Sequence, residues 1–205
     1  MIFSSTTALI DAAPAVQASR VDEFCDLPAA FVPTAFRVKQ VTQAWERRDA
    51  HALRRAVFCV EQGVFVGDDR DAIDAQATLL VACACVAGET DQVVGTVRIH
   101  QAEPGVWWGS RLAVHPSFRH HGRLGATLIR LAVGMAHAQG ANQFWAHVQA
   151  QNVPLFQRLH WQLQCEVALH GRAHGLMQAS LPQYPPCTEP EWGYLTLSSA
   201  KGGRP

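Results

Sequence analysis

The sequence lacks a net charge that could attract a large polyanion. Its 205 residues include 17 basic and 17 acidic side chains, which gives a formal net charge of zero at pH 7. A chain with balanced charge creates no global field that would recruit nucleic acid or an anionic membrane surface. We therefore expect neither nucleic acid nor membrane as a partner, and any basic site on the protein must be local.

Long apolar runs are missing as well. The longest strongly apolar run, residues 77–87, is too short for a membrane-spanning helix, which needs about 20 residues. No basic region precedes an apolar core near the first residue, so the pattern does not predict a secretory signal peptide. The six cysteines are scattered, mostly within apolar runs, which is typical of small buried side chains rather than of a disulfide framework. These features predict a soluble, cytoplasmic protein. Cys83 and Cys85, with His170 and His174, could suggest a metal site, but alternate strand residues point to opposite faces, so we predict no metal.

Composition divides the chain into three parts. Residues 1–34 are rich in Ala, Ser, Thr and Pro and have weak periodicity, so we interpret them as a flexible or loosely packed segment. Residues 35–182 carry regular apolar patterns and have a length that suits one globular domain. Residues 183–205 form a proline-rich tail that we expect to be extended.

Apolar periodicity predicts an alternation of strands and helices in residues 35–182. Alternating residues predict strands, whereas apolar residues spaced three and four apart predict helices. The predicted strands are residues 36–42, 78–88, 92–103, 105–114, 143–149, 165–171 and 175–181. The predicted helices are residues 42–60, 124–139 and 152–160. This order indicates an α/β (α+β) domain with a mixed sheet and helices on its faces.

A basic, glycine-containing turn links the predicted strand 105–114 to the predicted helix 124–139. Free N–H groups at the start of a helix favour negative charge, and the carboxyl end of a strand is a frequent ligand position in α/β sheets. The turn therefore predicts an anion site. Its residues are Arg119, His120, His121, Gly122, Arg123, Leu124 and Gly125.

The stretch LAVHPSFRHHGRLGATLI resembles strand 4, the pyrophosphate loop and helix 3 of the GNAT (Gcn5-related) acetyltransferases. Arg119 and Gly122 fit the first and fourth positions of the family pattern Q/R-x-x-G-x-G/A. Leu124 departs from the sixth position, and Gly125 follows one residue late. NVPLFQRLHW resembles the family segment N-x-x-A-x-x-L-Y-x-K-x-G-F. The resemblance covers residues 36–181 and implies the GNAT fold, with a mostly antiparallel central sheet, helices on both faces, and strands 4 and 5 splayed apart.

A narrower resemblance begins earlier in the chain. The run from LRRAVFCVEQGVFVGDDRDAID through GTVRIHQAEPGVWWGSRLAVHP is similar to the GNAT domains of the nitrogen-starvation acetyltransferases found with nitrilase gene clusters. LRRAVF is also similar to a region of autoinducer synthases, so a longer acyl donor stays open. A non-catalytic acyl-CoA-binding or assembly module is a further alternative, and a homodimer stays open as the assembly.

The family resemblance implies an N-acetyltransferase that moves an acetyl group from acetyl-CoA directly to an amine, which we expect to be part of a small molecule. Backbone N–H groups of the turn would hold the diphosphate, arginines would add charge-assisted hydrogen bonds, and the backbone of strand 4 would pair with the pantetheine amides. The side chains of the two histidines either contact phosphate or are simply exposed. The residues assigned to the cosubstrate are Leu112, Ala113, Val114, Arg119, His120, His121, Gly122, Arg123, Leu124, Gly125, Asn152 and Phe156.

Direct transfer needs a base for the incoming ammonium, donors for the developing oxyanion, and an acid for the thiolate. Phe156 occupies the position at which relatives carry a tyrosine acid, and strand 4 holds no carboxylate or histidine base. We therefore name Glu61, His100 and Ser110 as candidate catalytic residues. Glu61 could instead be a helix-end carboxylate and His100 a packed strand histidine.

The acidic loop after the first predicted helix has two interpretations. Its carboxylates could recruit a cationic acceptor, or they could simply be solvated as in most acidic surface loops. The residues concerned are Asp68, Asp69, Asp71 and Asp74.

Overall fold

The structure, a computed structural model, describes residues 33–120 and 123–198. The predicted N-terminal segment up to residue 32 lies outside the described residues. So do His121 and Gly122 of the predicted anion-binding turn, and residues 199–205 of the predicted tail.

Eight strands form one mixed sheet. In chain order they are β1 (Ala35–Gln40), β2 (Thr78–Val86), β3 (Glu89–Glu103), β4 (Val106–Val114), β5 (Gln143–Gln149), β6 (Trp161–Leu169), β7 (Arg172–Ala179) and β8 (Tyr194–Leu197). Their order across the sheet is β6-β7-β5-β4-β3-β2-β1-β8. β4 and β5 pair in parallel, and the other neighbouring pairs are antiparallel. The predicted mixed, mostly antiparallel sheet is confirmed.

Helices cover both faces of this sheet. They are α1 (Ala44–Arg55), which continues as a π-helical segment (Ala56–Glu61), α2 (Leu124–Ala138) and α3 (Val153–Arg158). Leu53 and Val57 pack with Leu79 and Val81 on one face, whereas α2 and α3 pack on the opposite face. None of the helices in residues 33–120 and 123–198 has the length and apolar character needed to cross a bilayer.

The predicted boundaries agree closely with the structure in the central part of the domain. α2 begins at the predicted Leu124 and ends before Gly140, whose φ of +81° suits a helix terminus. The predicted hairpins form from β2 with β3 and from β6 with β7. α1 starts two residues later than predicted, because Gln43 caps its first turn together with Glu46.

The proline-rich tail contains an element that the sequence analysis did not predict. β8 lies within the predicted tail and pairs with the edge strand β1, from Ala35 opposite Leu197 to Val38 opposite Tyr194. Tyr184, at the start of the tail, is buried and accepts a hydrogen bond of 2.9 Å from the indole Nε1 of Trp161. Residues 184–197 therefore pack against the sheet and α2.

We expect Gly193→Ala to weaken the attachment of β8. A Cβ at this position would clash with the carbonyl oxygen of Val38, and the φ of +57° is itself unfavourable for alanine. Gly88→Ala is the matched control, because Gly88 also has a positive φ of +87° but has nothing within 4 Å of an added Cβ. Urea unfolding should show a loss for Gly193→Ala that exceeds the control by about 1 kcal/mol or more. Equal losses would contradict the close contact with Val38.

Candidate active site

β4 and β5 separate part-way along their length. Their parallel pairing runs from Val106 opposite Gln143 to Gly109 opposite Ala146. β4 continues beyond this point to Val114, where it pairs with β3 on its other side. The edge of β4 over residues 110–114 therefore faces an opening in the sheet, which we call the β4–β5 gap. The splay that the resemblance implied is confirmed.

A cavity of about 710 Å³ passes through the β4–β5 gap. Consecutive residues line it on both strands, namely residues 109–112 on β4 and 146–149 on β5. Because successive side chains of a strand point to opposite faces, a cavity that touches consecutive residues reaches both faces of the sheet. The cavity thus has a polar side toward α1 and an apolar side toward α2.

A β-bulge lies where the edge of β4 becomes free. Thr96 is opposite Ala113 and Arg98 is opposite Ser110, so one residue of β3 faces two residues of β4, Arg111 and Leu112. Arg111 has a φ of +54°, in the left-handed region that residues with side chains rarely adopt. A bulge of this kind takes backbone groups out of the regular ladder. It therefore makes peptide groups available for a ligand in the β4–β5 gap.

Along the free edge beyond the bulge, successive residues direct their backbone N–H and C=O groups alternately toward β3 and toward the gap. The N–H of His115 donates to the carbonyl of Val94 at 2.8 Å, which turns the peptide groups of Val114 toward the gap and those of Ala113 toward β3. The carbonyl of Val114 accepts a hydrogen bond of 3.1 Å from Nε of Arg119. Of the three residues predicted to pair with the pantetheine arm, Ala113 therefore directs its backbone groups away from the gap.

The predicted anion-binding turn lies at the mouth of the β4–β5 gap, between β4 and α2. Arg123 precedes α2 with a φ of +51°, and no side chain among the described residues caps the first N–H groups of the helix. Leu124 is buried, so it can offer only its backbone N–H, while His120 and Arg123 are exposed. An added Cβ on Gly125 would face Val114, which places this glycine beside the end of β4.

Glu61 lies at this turn and binds Arg119. Both carboxylate oxygens of Glu61 accept hydrogen bonds from Nη2 of Arg119, at 2.8 and 2.6 Å. These hydrogen bonds lower the pKa of Glu61, so the carboxylate is ionised and is a weak base. Glu61 is not among the described residues that line the cavity. The structure therefore does not bring Glu61 together with the other two catalytic candidates.

His100 and Ser110 both line the cavity on its polar side. Nδ1 of His100 is buried and has no hydrogen-bond partner among the described residues. Burial lowers the pKa of His100, and the positive charge of Arg98 lowers it further, so the imidazole is neutral at pH 7. Ser110 is engaged instead, because its Oγ accepts a hydrogen bond of 3.0 Å from Nε of Arg98.

Aromatic rings extend the polar side from β4 to β5. His100 is opposite Trp108, whose ring centroid lies 5.1 Å from that of His147 and 6.4 Å from that of Trp145. Burial lowers the pKa of His147, and the nearby His174 lowers it further. Two histidines with lowered pKa values therefore flank Trp108, and both are neutral at pH 7.

Asn152, in the turn before α3, and Phe156, on α3, also line the cavity. Asn152 is exposed at the end of a short turn before α3. Phe156 is buried and packs edge-on against Trp161, with ring centroids 5.0 Å apart. Phe156 therefore presents to the cavity an aromatic ring that has no proton to donate.

Three arginines from distant parts of the chain converge beside the cavity. Arg54 comes from the last turn of α1, Arg98 from β3, and Arg111 from the β4 bulge. Their partners belong to the loop between the π-helical segment and β2. These partners are the carboxylates of Asp69, Asp71 and Asp74, and we call the six residues the ion cluster.

The ion cluster balances buried charge. Arg54 donates from Nε to Asp69 at 2.8 Å and from Nη2 to Asp74 at 3.1 Å, and Arg98 donates from Nη1 to Asp74 at 2.7 Å. Burial by itself would raise the pKa of Asp74, but the hydrogen bonds from Arg54 outweigh this effect and hold the pKa well below its usual range. Asp74 is therefore ionised, and the three carboxylates of the cluster face three guanidinium groups.

The ion cluster also fixes one wall of the cavity. The guanidinium of Arg111 lies 4.3 Å from the ring centroid of Phe65, and this ring packs edge-on against His170 at 4.8 Å. Phe65 and His170 both line the polar side. The acidic loop is thus held against the sheet by arginines. Among the described residues, Oδ1 of Asp69 is the one carboxylate oxygen of the loop that is buried without a partner.

Residues 51–161 match the sequence profile of the Acetyltransferase (GNAT) family. The chain belongs to this family. Membership makes the protein an acyltransferase and implies an acyl-CoA as its donor.

Individual relatives agree with this assignment. A Bacillus subtilis (strain 168) protein provisionally named as an acetyltransferase is 29% identical over 143 residues, which are 68% of this chain and 93% of that protein. The crystal structure of a provisionally named N-acetyltransferase from Lactobacillus plantarum superposes with a TM-score of 0.63 at 21% identity, covering 71% of this chain and 98% of that one. BjaI, a CoA-dependent acyl-homoserine lactone synthase, gives a TM-score of 0.57 at 15% identity, covering 70% and 82%. At these identities the two structures establish the fold alone.

Sequence reasoning missed the ion cluster and His147. Arg54, Arg98 and Arg111 are 44 and 13 positions apart, so no local pattern links them. The sequence did contain a signal for the ion cluster, namely arginines at positions that the apolar patterns of a helix or strand predict to be buried. A buried arginine needs a carboxylate partner.

We expect Arg54→Met to cost about 3–5 kcal/mol of unfolding free energy, because it leaves Asp69 and Asp74 buried with too little positive charge. Arg48→Ala is the control, because the side chain of Arg48 is 73% exposed and its ion pair with Asp49 should contribute less than about 1 kcal/mol. Urea unfolding at pH 7 measures both losses. Similar small losses in the two variants would show that the ion cluster contributes no more than a surface pair.

Proposed function

We propose that the protein transfers the acetyl group of acetyl-CoA to the amine of a small molecule by direct attack. The observation that carries this proposal is the β4–β5 gap, with a free strand edge at the bulge and a basic turn at its mouth. The edge suits the amides of an extended pantetheine chain, and the turn suits a diphosphate. Release of thiol from acetyl-CoA, measured against a library of amines, tests the proposal.

On the donor side, Arg119 and the uncapped start of α2 would hold the diphosphate. Arg119 is already positioned by its hydrogen bonds to Val114 and Glu61, so little side-chain entropy is lost when an anion binds. A diphosphate would then compete with Glu61 for the guanidinium. We therefore assign Glu61 a positioning role at the turn rather than the role of base.

On the acceptor side, His100 would take the proton from the incoming amine. Its imidazole is neutral and its ring lines the cavity beside Trp108. Because Nδ1 is buried, Nε2 would be the nitrogen that accepts the proton. These are the requirements for a general base that works near neutral pH. The thiolate would be protonated from water, because Phe156 carries no proton to give.

The shape of the polar side favours a small acceptor. Phe65 and His170 form one wall of the polar side. The flat indole ring of Trp108, between His100 and His147, forms another. A flat ring or short chain that carries an amine fits such a chamber better than a protein segment does.

From the sequence alone, we also propose that the protein is cytoplasmic and that it is similar to the nitrogen-starvation acetyltransferases.

The pH dependence of kcat/KM should identify His100. Because burial lowers the pKa of His100 from its ordinary value of 6.5, the acidic limb of the profile should have its midpoint below pH 6.5. His100→Gln should remove this limb and reduce kcat/KM at pH 7.5 by about 100-fold. His51→Gln is the matched control, since burial also lowers the pKa of His51, which does not line the cavity. An unchanged acidic limb in His100→Gln would reject the assignment.

Calorimetry of CoA binding tests the roles of Arg119 and Glu61. Arg119→Ala should weaken binding by about tenfold to 100-fold, the value of a lost charge-assisted hydrogen bond. Glu61→Gln should keep the affinity for CoA within about threefold and keep its kcat, since the loss of a competing negative charge offsets the weaker positioning of Arg119. Arg48→Ala, on the exposed side of α1, should change neither. A large fall in kcat for Glu61→Gln would instead support Glu61 as the base.

A further inference from the structure

A second cavity, of about 470 Å³, lies between α2, the end of α3 and the C-terminal tail. It shares no described lining residue with the cavity of the candidate active site, and we call it the tail pocket. Residues 183–185 and 194–196 of the tail line it. Three basic residues, Arg130, Arg158 and His160, also line it, whereas no described aspartate or glutamate does.

The positive charge of the tail pocket is not compensated. Among the described residues, the side chains of Arg130 and Arg158 have no hydrogen bond or ion pair, whereas each arginine of the ion cluster binds a carboxylate. Burial raises the pKa of Tyr184 and Tyr194, and the charge of Arg130 partly opposes this rise, so its guanidinium lies close to the tail. Guanidinium groups that share a pocket attract an anion, and they suit a phosphate because each can donate two parallel hydrogen bonds.

His160 enters the tail pocket from a backbone conformation that glycine adopts more easily. Its φ is +63°, which is unfavourable for a residue with a side chain. Its N–H donates to the carbonyl of Gln157 at 3.0 Å, and its carbonyl accepts from the N–H of Ser180 at 3.0 Å, so this conformation ends α3 and joins it to the segment after β7. The turn itself needs no imidazole, and side chains held in such a conformation are frequent at functional sites. We therefore interpret the imidazole of His160 as part of a binding site.

One face of α2 connects the tail pocket to the basic turn. Arg123 at the start of the helix, Thr127 and Arg130 follow each other at intervals of four and three residues, so they lie along one side of α2. Arg130 is two helical turns, or about 10 Å, beyond Arg123. A ligand that binds the turn through a diphosphate could therefore place a second anionic group in the tail pocket.

CoA carries such a group, because its ribose bears a 3′-phosphate in addition to the diphosphate. A phosphate monoester has a charge of about −1.5 to −2 at pH 7. We propose that the tail pocket binds the 3′-phosphate of the donor through Arg130, Arg158 and His160, and that it thereby selects CoA over 3′-dephospho-CoA. This inference rests on the proposed acetyl-CoA site. It adds a binding role for the tail, which lies outside the segment 51–161 that matches the family profile.

Calorimetry with CoA and 3′-dephospho-CoA tests the inference. The parent should bind CoA about tenfold to 100-fold more tightly, the value of a charge-assisted hydrogen bond. Arg130→Ala and Arg158→Ala should each reduce this ratio by about tenfold and leave the affinity for 3′-dephospho-CoA within about threefold, which also reports correct folding. Arg48→Ala, which removes an exposed arginine of α1, is the control and should keep the ratio.

Each other outcome rejects a defined part of the scheme. Absence of binding by both compounds would reject the proposed function itself. Equal binding of both by the parent would reject the tail pocket alone, and so would a ratio that survives in both arginine variants.

His160→Gly separates binding from folding at the third residue of the pocket. It should lower the ratio of the two affinities without lowering the urea midpoint, because glycine relieves the backbone strain. A lower midpoint with an unchanged ratio would give His160 a structural role and remove it from the site.

Discussion

Three arginines and three aspartates meet beside the β4–β5 gap, and the free energy of burying Arg54, Arg98 and Asp69 there constrains the rest of the site. A guanidinium or carboxylate removed from water is strongly unfavourable unless opposite charges and hydrogen bonds surround it. Arg54 and Arg98 are almost fully buried, so the loop that carries Asp69 and Asp74 has to lie against α1 and β3. The ion cluster therefore joins the π-helical end of α1 to the middle of the sheet.

The ion cluster also includes or contacts the residues of β4 at the bulge, where we propose that the donor binds. Arg98 holds Ser110, and Arg111, which binds Asp69, is the bulge residue in the left-handed conformation. The backbone strain at Arg111 is thus balanced by the hydrogen bonds of its own side chain. The bulge, the free edge beyond it and the wall formed by Phe65 depend on one set of charges. The two sides of the cavity then follow from strand alternation, which sends polar residues toward α1 and apolar residues toward α2.

The sequence predicted local elements well because their signals are local. The period of apolar residues in α2, its stop before Gly140 and the hairpin turn at Gly88 all lie within a few residues of the structures that they specify. β8 was missed, because residues 194–197 are mostly exposed and owe their extended conformation to pairing with β1, far away in the chain. The family motif placed Arg119 and the turn correctly at a helix start. It could not show that Glu61, 58 positions earlier, binds Arg119.

By itself, the sequence determined the strand and helix order of residues 35–182, the mixed sheet and the basic turn at the start of α2, since each of these depends on neighbouring residues and on a motif of a few positions. Only the tertiary structure decided which polar residues meet. It places Glu61 with Arg119 and not with His100 in the cavity, gives the carboxylates of the acidic loop their arginine partners, and divides the cavity into a polar side toward α1 and an apolar side toward α2. The physical reason is that desolvated charges and packed side chains gain their energy from contacts between distant segments, and the energy of such contacts depends on the whole fold.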